Sequence, residues 1–171
     1  GIIPQEEIKL PTPVVGDGII YKPYKISDVQ KEMYGDFSDY QFPKGMSKET
    51  LLWLKDWANL DAPFVSLKSI PKETADYLSQ FKPKNPVTLY RGISKDSEKL
   101  STFGIESWTY NKDVAKRFGK VEERLVSPAD IIFDSTKMPK KDLDFIGVDF
   151  LRNESEVLIK SGVDIEVPIK A

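Results

Sequence analysis

Two glutamates near the C-terminus, Glu154 and Glu156, are the residues of this chain best suited to do chemistry. They lie just ahead of the apolar run 157–159, which is typical of a buried strand. On an extended chain, residues two apart leave the same face, so we expect both carboxylates side by side. Two like charges on one face repel each other, and an ordinary strand gains little from them. The alternative interpretation is an exposed polar strand edge.

The composition excludes several kinds of site. The 171 residues include no Cys and no His. This excludes disulfides, a thiolate nucleophile, a cysteine-based metal site and a Ser-His-Asp triad. Any enzyme chemistry therefore depends on carboxylates, hydroxyls, Lys, Arg and a bound cofactor. The net charge of −2 predicts no general attraction to nucleic acid or to acidic membranes. No apolar run approaches the roughly 18 residues that a membrane helix needs.

Length and hydrophobicity predict one folded domain over residues 1–171, which we expect to be monomeric. Residues 1–84 are expected to be mainly helical. Within them, the proline- and glycine-rich residues 1–25 predict an arm with at most one short strand, at 19–21. Three helix signals follow, over residues 27–35, 47–59 and 71–81.

Particular side chains support these helices. Ser27 and Gln30 match a capping box, and Gly35 is expected to end the first helix. Trp53 and Trp57 are four residues apart on the second helix, and we interpret them as core residues instead of a ligand platform.

Residues 85–171 are expected to be rich in strands. The predicted strands span 87–92, 106–109, 121–126, 131–133, 157–159 and 163–169. Asn111 is expected to cap a short helix that Gly119 ends, and residues 134–153, rich in Lys, Asp and Phe, to form a loop. Helices first and strands afterwards, without βαβ alternation, predict an α+β fold with a largely antiparallel sheet.

Three motifs follow one another along this second half. They are Arg-Gly at 91–92, Ser-Trp-Thr at 107–109 and Glu-Ser-Glu at 154–156. In this order they resemble the ADP-ribosyltransferase family, in the branch defined by an Arg, a Ser-Thr-Ser-like strand and a Glu-x-Glu pair. The likeness covers about residues 86–160. It implies a split β-sandwich, in which two small, mainly antiparallel sheets surround an NAD cleft beside a helical N-terminal half.

The resemblance implies a role for each matching residue. Arg91 would contact the NAD phosphates, where a planar, always-charged fork suits a pyrophosphate. Gly92 would let the backbone approach the nicotinamide amide. Ser107 would orient the catalytic glutamate, and Thr109 would support the strand or the nicotinamide pocket. Phe118 is either a residue of the helix core or a ring stacked on nicotinamide.

The glutamates and the segment before them complete the implied site. Glu156 would be the catalytic residue, because a carboxylate bonded to the ribose 2′-hydroxyl stabilises the oxocarbenium-like state that forms as nicotinamide leaves. Glu154 would hold and help deprotonate an acceptor side chain, and in this family glutamate there usually accompanies arginine acceptors. The segment 144–150 would recognise the protein substrate through Phe145 or Phe150, although either ring suits the core equally. No metal is required.

The sequence departs from the family in places. Trp108 stands where the family often has Thr or Phe, and Thr109 replaces Ser but keeps the hydroxyl. The diphtheria-toxin-like branch uses a His where Arg91 falls, so a chain without His does not belong to it.

The expected activity is mono-ADP-ribosyl transfer from NAD+ to a target protein, on arginine, with release of nicotinamide. The alternatives are an NAD glycohydrolase, with water as acceptor, and a catalytically silent binding module of the same fold. A carboxylate-pair glycosidase fits less well, because two glutamates so close in sequence cannot easily flank a sugar on opposite faces. The resemblance implies action in the cytoplasm of the producing or host cell, as a bacterial effector, a secreted toxin domain or a phage-delivered enzyme.

Overall fold

The structure is a computed structural model that describes residues 19–59, 69–93, 104–148 and 150–160. The predicted strand at 163–169 lies outside the described residues, as do most of the arm 1–25 and the side chain of Phe150. None of the described helices is long and apolar enough to cross a membrane.

The described first half contains three helices and two short strands. They are β1 (Ile20–Tyr21), α1 (Asp28–Tyr34), α2 (Lys48–Asn59), β2 (Ser69–Ile70) and α3 (Lys72–Leu78). Ser27 caps α1 through a capping box with Gln30, and Gly35 ends the helix, which confirms the prediction. Pro71 precedes α3, but this helix ends earlier than the sequence predicted.

The second half contains the remaining strands and three short helices within its described residues. They are β3 (Val87–Ile93), β4 (Ile105–Thr109), α4 (Lys112–Lys116), β5 (Lys120–Val126), β6 (Ile131–Asp134), α5 (Lys140–Ile146), α6 (Phe150–Asn153) and β7 (Glu156–Lys160). Asn111 caps α4 by accepting a hydrogen bond from the Asp113 amide, as predicted.

The prediction of a loop over residues 134–153 is wrong, because α5 and α6 lie there. Leu143 and Ile146 are fully buried on one face of α5. Gly147 ends this helix in the left-handed conformation, with φ of 85°. Lys140 and Asp144, two of the charged residues that suggested a loop, form an ion pair at 2.8 Å on the exposed side of the helix, whereas Asp142 is buried.

The five longer strands form one antiparallel sheet in the order β5-β3-β4-β7-β6, while β1 and β2 form a separate parallel pair. This confirms the predicted α+β class with an antiparallel sheet. The resemblance implied two small antiparallel sheets, but the longer described strands form a single sheet. However, β3 and β4 are paired at Tyr90 and Thr109, whereas β3 and β5 pair along their full length. The sheet is therefore weakly joined between β3 and β4.

Two apolar cores lie on opposite faces of this sheet. The larger one packs α2, α3 and α5 against one face and includes Ile105 and Leu158. The smaller one, on the other face, includes Trp108 and Val157. Successive side chains of a strand point to opposite faces, so the neighbours Val157 and Leu158 belong to different cores. Each fully buried leucine of the larger core contributes about 1.5–3 kcal/mol to folding.

The tryptophans of α2 belong to the larger core, as predicted. Trp53 and Trp57 are both buried, and their rings stack with centroids 6.0 Å apart and an interplanar angle of 13°. The Nε1–H of Trp53 donates to the carbonyl oxygen of Ser69 at 3.1 Å. These contacts fix the orientation of both indoles.

A buried serine holds the beginning of β7. The backbone amide of Ser135 donates to the carbonyl oxygen of Glu156 at 3.0 Å. Its hydroxyl lies 2.7 Å from the same carbonyl oxygen and 3.1 Å from that of Leu151. Next to it, the Asp134 carboxylate accepts hydrogen bonds from the hydroxyls of Tyr110 and Thr136. The backbone of Glu156 is therefore anchored to β6 and α6.

We expect Ser135→Ala to lower the free energy of unfolding by about 1–3 kcal/mol, because it removes the hydroxyl that serves two buried carbonyl oxygens. Urea unfolding measures this change. Ser79→Ala is the control, since the Ser79 hydroxyl bonds an exposed carbonyl at the end of α3. The control should change stability by less than about 0.5 kcal/mol. Equal effects of the two variants would contradict the anchoring role.

Candidate functional site

A small cleft lies where β3 and β4 meet. Its walls come from β3, β4, α4, the beginning of β7 and the turn before it. Seven residues that the sequence singled out line the cleft: Arg91, Gly92, Ser107, Thr109, Phe118, Glu154 and Glu156. The fold thus brings the three separate motifs to one place.

The two glutamates do not share one strand, contrary to the prediction. Glu156 begins β7, whereas Glu154 lies in the turn between α6 and β7. Ser155 between them has φ of 51°, in the left-handed region that non-glycine residues rarely adopt. The Thr109 hydroxyl stabilises this turn by donating to the carbonyl oxygen of Glu154 at 2.7 Å. Both carboxylates still reach the cleft, with Glu156 buried and Glu154 half-buried.

The carboxylate of Glu156 is held from one side. Its Oε1 accepts hydrogen bonds from the Ser107 hydroxyl and from the Trp57 Nε1–H, the latter at 3.3 Å. Its Oε2 is buried and has no hydrogen-bond partner among the described residues. Buried polar atoms are nearly always bonded. Because Glu156 lines the cleft, a ligand bound there is a candidate donor for this oxygen.

Burial raises the pKa of Glu156 from its ordinary 4.5 to about 7. The hydrogen bonds from Ser107 and Trp57 lower this pKa, and the negative charge of Glu154 raises it. Near neutral pH the carboxyl group therefore changes its charge readily. A buried carboxyl with a strongly shifted pKa, lying in a cleft, is typical of a functional site.

Arg91 is buried at the cleft wall, where its guanidinium forms an ion pair with Glu106 on β4. Glu106 also accepts a hydrogen bond from the Trp108 Nε1–H at 3.2 Å. Trp108, one of the departures from the family pattern, is thus a buried donor that holds the partner of Arg91. Removal of either charge from such a buried pair would leave the other uncompensated.

Gly92 is required by packing. A Cβ at this position would lie 2.0 Å from the carbonyl oxygen of Ala115 and 2.8 Å from the Cβ of Phe118. No side chain fits at that distance, so the absence of a Cβ lets the end of α4 approach β3. This explains the glycine without a ligand, and the approach to nicotinamide that the resemblance implies stays a prediction.

The three phenylalanines of the predicted site take different positions. Phe118 follows α4, is 39% exposed and lines the cleft, so the alternative that it belongs to the helix core is wrong. Phe145 is half-buried on α5, with its ring 5.4 Å from that of Phe42 and 6.2 Å from that of Tyr40. It belongs to the margin of the larger core and does not line the cleft. The side chain of Phe150 lies outside the described residues.

Sequence reasoning missed two residues that contact the site. Glu106 lies on β4 beside the serine motif, and a charge inside a predicted strand, two residues before Trp108, was a signal of a buried pair. Trp57 gave no such signal, because it lies 99 residues from Glu156 and reads as an ordinary core residue. Within the described ranges, no group of three or more acidic side chains is arranged to hold a metal ion.

Comparison of the chain with profiles of known protein families, with curated proteins and with solved structures found no match. The resemblance to the ADP-ribosyltransferases therefore rests on the three sequence motifs alone.

We expect Glu156→Gln to change the pH dependence of stability. Because folding raises the pKa of Glu156, the folded wild type binds this proton more tightly than the unfolded chain does. The stability that this group contributes is present below about pH 4.5 and is lost as the pH rises through about 7. The neutral glutamine avoids this loss. The free energy of unfolding of the variant, relative to wild type, should therefore rise between pH 5 and 8, by up to about 3 kcal/mol.

Urea unfolding of both proteins across this pH range measures the difference. Parallel pH profiles in the two proteins would mean that Glu156 titrates alike in the folded and unfolded states.

Proposed function

We propose that this protein is a mono-ADP-ribosyltransferase that cleaves NAD+ and transfers ADP-ribose to a protein arginine. One observation carries the proposal: Oε1 of Glu156 is held by Ser107 and Trp57, while Oε2 is buried without a partner among the described residues of the cleft. A ribose 2′-hydroxyl is a donor that would satisfy this oxygen. The weak join between β3 and β4 also supports the proposal, since a cleft between two parts of a sheet is expected for this family.

The chemistry that this carboxylate supports is cleavage of the bond between nicotinamide and ribose. When this C–N bond breaks, nicotinamide leaves with the electron pair and positive charge develops on the ribose ring. An ionised Glu156, bonded to the 2′-hydroxyl, interacts more strongly with the positively charged ribose ring of the transition state than with the ribose ring of bound NAD+. Its two protein donors hold the carboxylate in place, so little reorganisation is needed during the reaction.

We expect Glu154 to act on the acceptor. It lies at the same cleft, on the turn before Glu156, and is more exposed than Glu156. A carboxylate there would bind an incoming guanidinium and accept its proton as the nitrogen attacks C1′ of the ribose. This division assigns bond cleavage to Glu156 and acceptor activation to Glu154.

Arg91 is expected to orient the cofactor. Its guanidinium lines the cleft and is fixed by the ion pair with Glu106. Glu106 balances part of its charge, so the geometry of the planar fork is expected to matter more for the NAD phosphates than net charge does. Phe118, exposed at the cleft, offers a ring face for stacking on nicotinamide.

The direct test is nicotinamide release from labelled NAD+, with an arginine-containing polypeptide or a cell lysate as acceptor. Wild type should release nicotinamide and label protein. Glu156→Gln should reduce release by about 10²–10³-fold, because it removes the charge that stabilises the oxocarbenium-like state. Glu154→Gln should lose labelling but retain hydrolysis. Glu32→Gln, which changes an exposed acid on α1, is the control and should match wild type.

The other outcomes separate the alternatives. Release without labelling under every acceptor condition would favour an NAD glycohydrolase. No release by wild type would favour a silent binding module. Equal loss of release and labelling in Glu154→Gln would contradict the division between the two glutamates.

The pH dependence provides a further check. Because Glu156 must be ionised to stabilise positive charge and its pKa is raised to about 7, kcat/KM for nicotinamide release should rise with pH to a plateau above a midpoint near 7. Initial rates at low NAD+ concentration between pH 5 and 9 measure this profile. A flat profile from pH 5 to 8 would exclude Glu156 as the titrating group.

A further inference from the structure

Trp57 forms a hydrogen bond between helix α2 and the Glu156 carboxylate. Its indole is buried, with 4% exposed, and donates Nε1–H to Oε1 of Glu156 at 3.3 Å. The indole nitrogen can only donate. A serine hydroxyl, by contrast, donates or accepts, so Ser107 can adapt to a protonated or an ionised carboxyl group. Trp57 therefore constrains the carboxylate in a way that Ser107 does not.

The indole is itself held rigidly. It stacks on Trp53, whose own Nε1–H is bonded to the carbonyl oxygen of Ser69 at 3.1 Å. The carboxylate of Glu156, a residue that lines the cleft, is therefore held by a donor with a fixed position. Because packing fixes Trp57, we expect the Glu156 carboxylate to keep its orientation without a ligand.

We propose that Trp57 is a positioning residue for Glu156, whose indole N–H directs Oε1 towards α2 and leaves Oε2 as the oxygen that meets the substrate. The effect of Trp57 on catalysis rests on the proposed function. The hydrogen bond between Trp57 and Glu156 does not depend on it. Through this bond the helical first half contributes to a site whose other residues lie on the second half.

The charged groups on the surrounding elements do not replace this donor. Glu154, in the turn before β7, raises the pKa of Glu156. Arg91 on β3 is paired with Glu106 on β4, and Asp134 on β6 accepts from Tyr110. On α2, Lys55 is half-buried, and exposed Asp56 accepts from the Tyr24 hydroxyl. Loss of the Trp57 N–H would therefore favour the protonated form of Glu156.

Trp57→Phe tests the proposal, because it keeps an aromatic ring and removes the N–H. We expect kcat for nicotinamide release to fall about tenfold, with KM changed little, since the substrate does not contact Trp57. The midpoint of the pH profile should move upward by about one unit. Trp53→Phe is the matched control: it makes the same change on the same helix but removes a bond to Ser69, so it should leave the pH midpoint unchanged.

A measurement without NAD+ separates this proposal from the proposed function. In ¹⁵N NMR spectra the three tryptophans give three indole N–H signals. The Trp57 signal, assigned from the phenylalanine variants, should move with pH in wild type and stay constant in Glu156→Gln. The Trp108 signal, from an indole bonded to Glu106 instead of Glu156, is the internal reference.

The possible results are distinct. Titration of the Trp57 signal with no nicotinamide release would support the hydrogen bond and reject the transferase. Normal release with an unchanged pH midpoint in Trp57→Phe would reject positioning and leave the transferase intact. Equal shifts in both tryptophan variants would also overturn the proposal, because they would show a general packing effect. If Trp57→Phe does not fold, the comparison of wild type with Glu156→Gln decides: a Trp57 signal that does not titrate in wild type would overturn the bond.

Discussion

The burial of the Glu156 carboxylate is the constraint on which this structure depends. Burial between a helix and a sheet penalises the charged form and raises its pKa to about 7. The fold offsets this cost with two donors to Oε1 and an anchored backbone, since Ser135 holds the carbonyl oxygen of the same residue. The other oxygen of this carboxylate, Oε2, has no partner among the described residues and belongs to a side chain that lines the cleft. The free-energy cost of burial that remains therefore falls on Oε2, the atom that we propose meets the ligand.

A second buried carboxylate on the same sheet shows what makes the first one different. Glu106 also accepts a hydrogen bond from an indole, that of Trp108, but it has a cationic partner in Arg91. A buried acid with a cationic partner has a structural role, because the partner compensates its negative charge within the protein. Among the described residues, Glu156 has donors but no ion pair. A ligand that donates a hydrogen bond to Glu156 would therefore stabilise this carboxylate more than one that donates to Glu106.

Access to the cleft depends on backbone features as much as on side chains. The strands β3 and β4 separate beyond the pair Tyr90–Thr109, and α4 packs against β3 because Gly92 has no Cβ. The left-handed Ser155 turns the chain so that Glu154 and Glu156 reach the same cleft from different elements. The two like charges still interact, since the charge of Glu154 raises the pKa of Glu156.

The sequence by itself determined the class of fold, most strand positions, the helix caps at Ser27 and Asn111, and seven of the residues that line the cleft. The strands and caps are local properties, because periodicity and capping act over a few residues. The seven cleft residues followed from the resemblance that the order of the three motifs indicated. The tertiary structure decided that residues 134–153 form helices, because burial of Leu143 and Ile146 outweighs their polar surroundings. It also decided that Glu154 leaves the strand, that Glu106 neutralises Arg91 and that Trp57 reaches Glu156. Such pairings join residues far apart in the chain, and only packing determines which buried donor meets which buried acceptor.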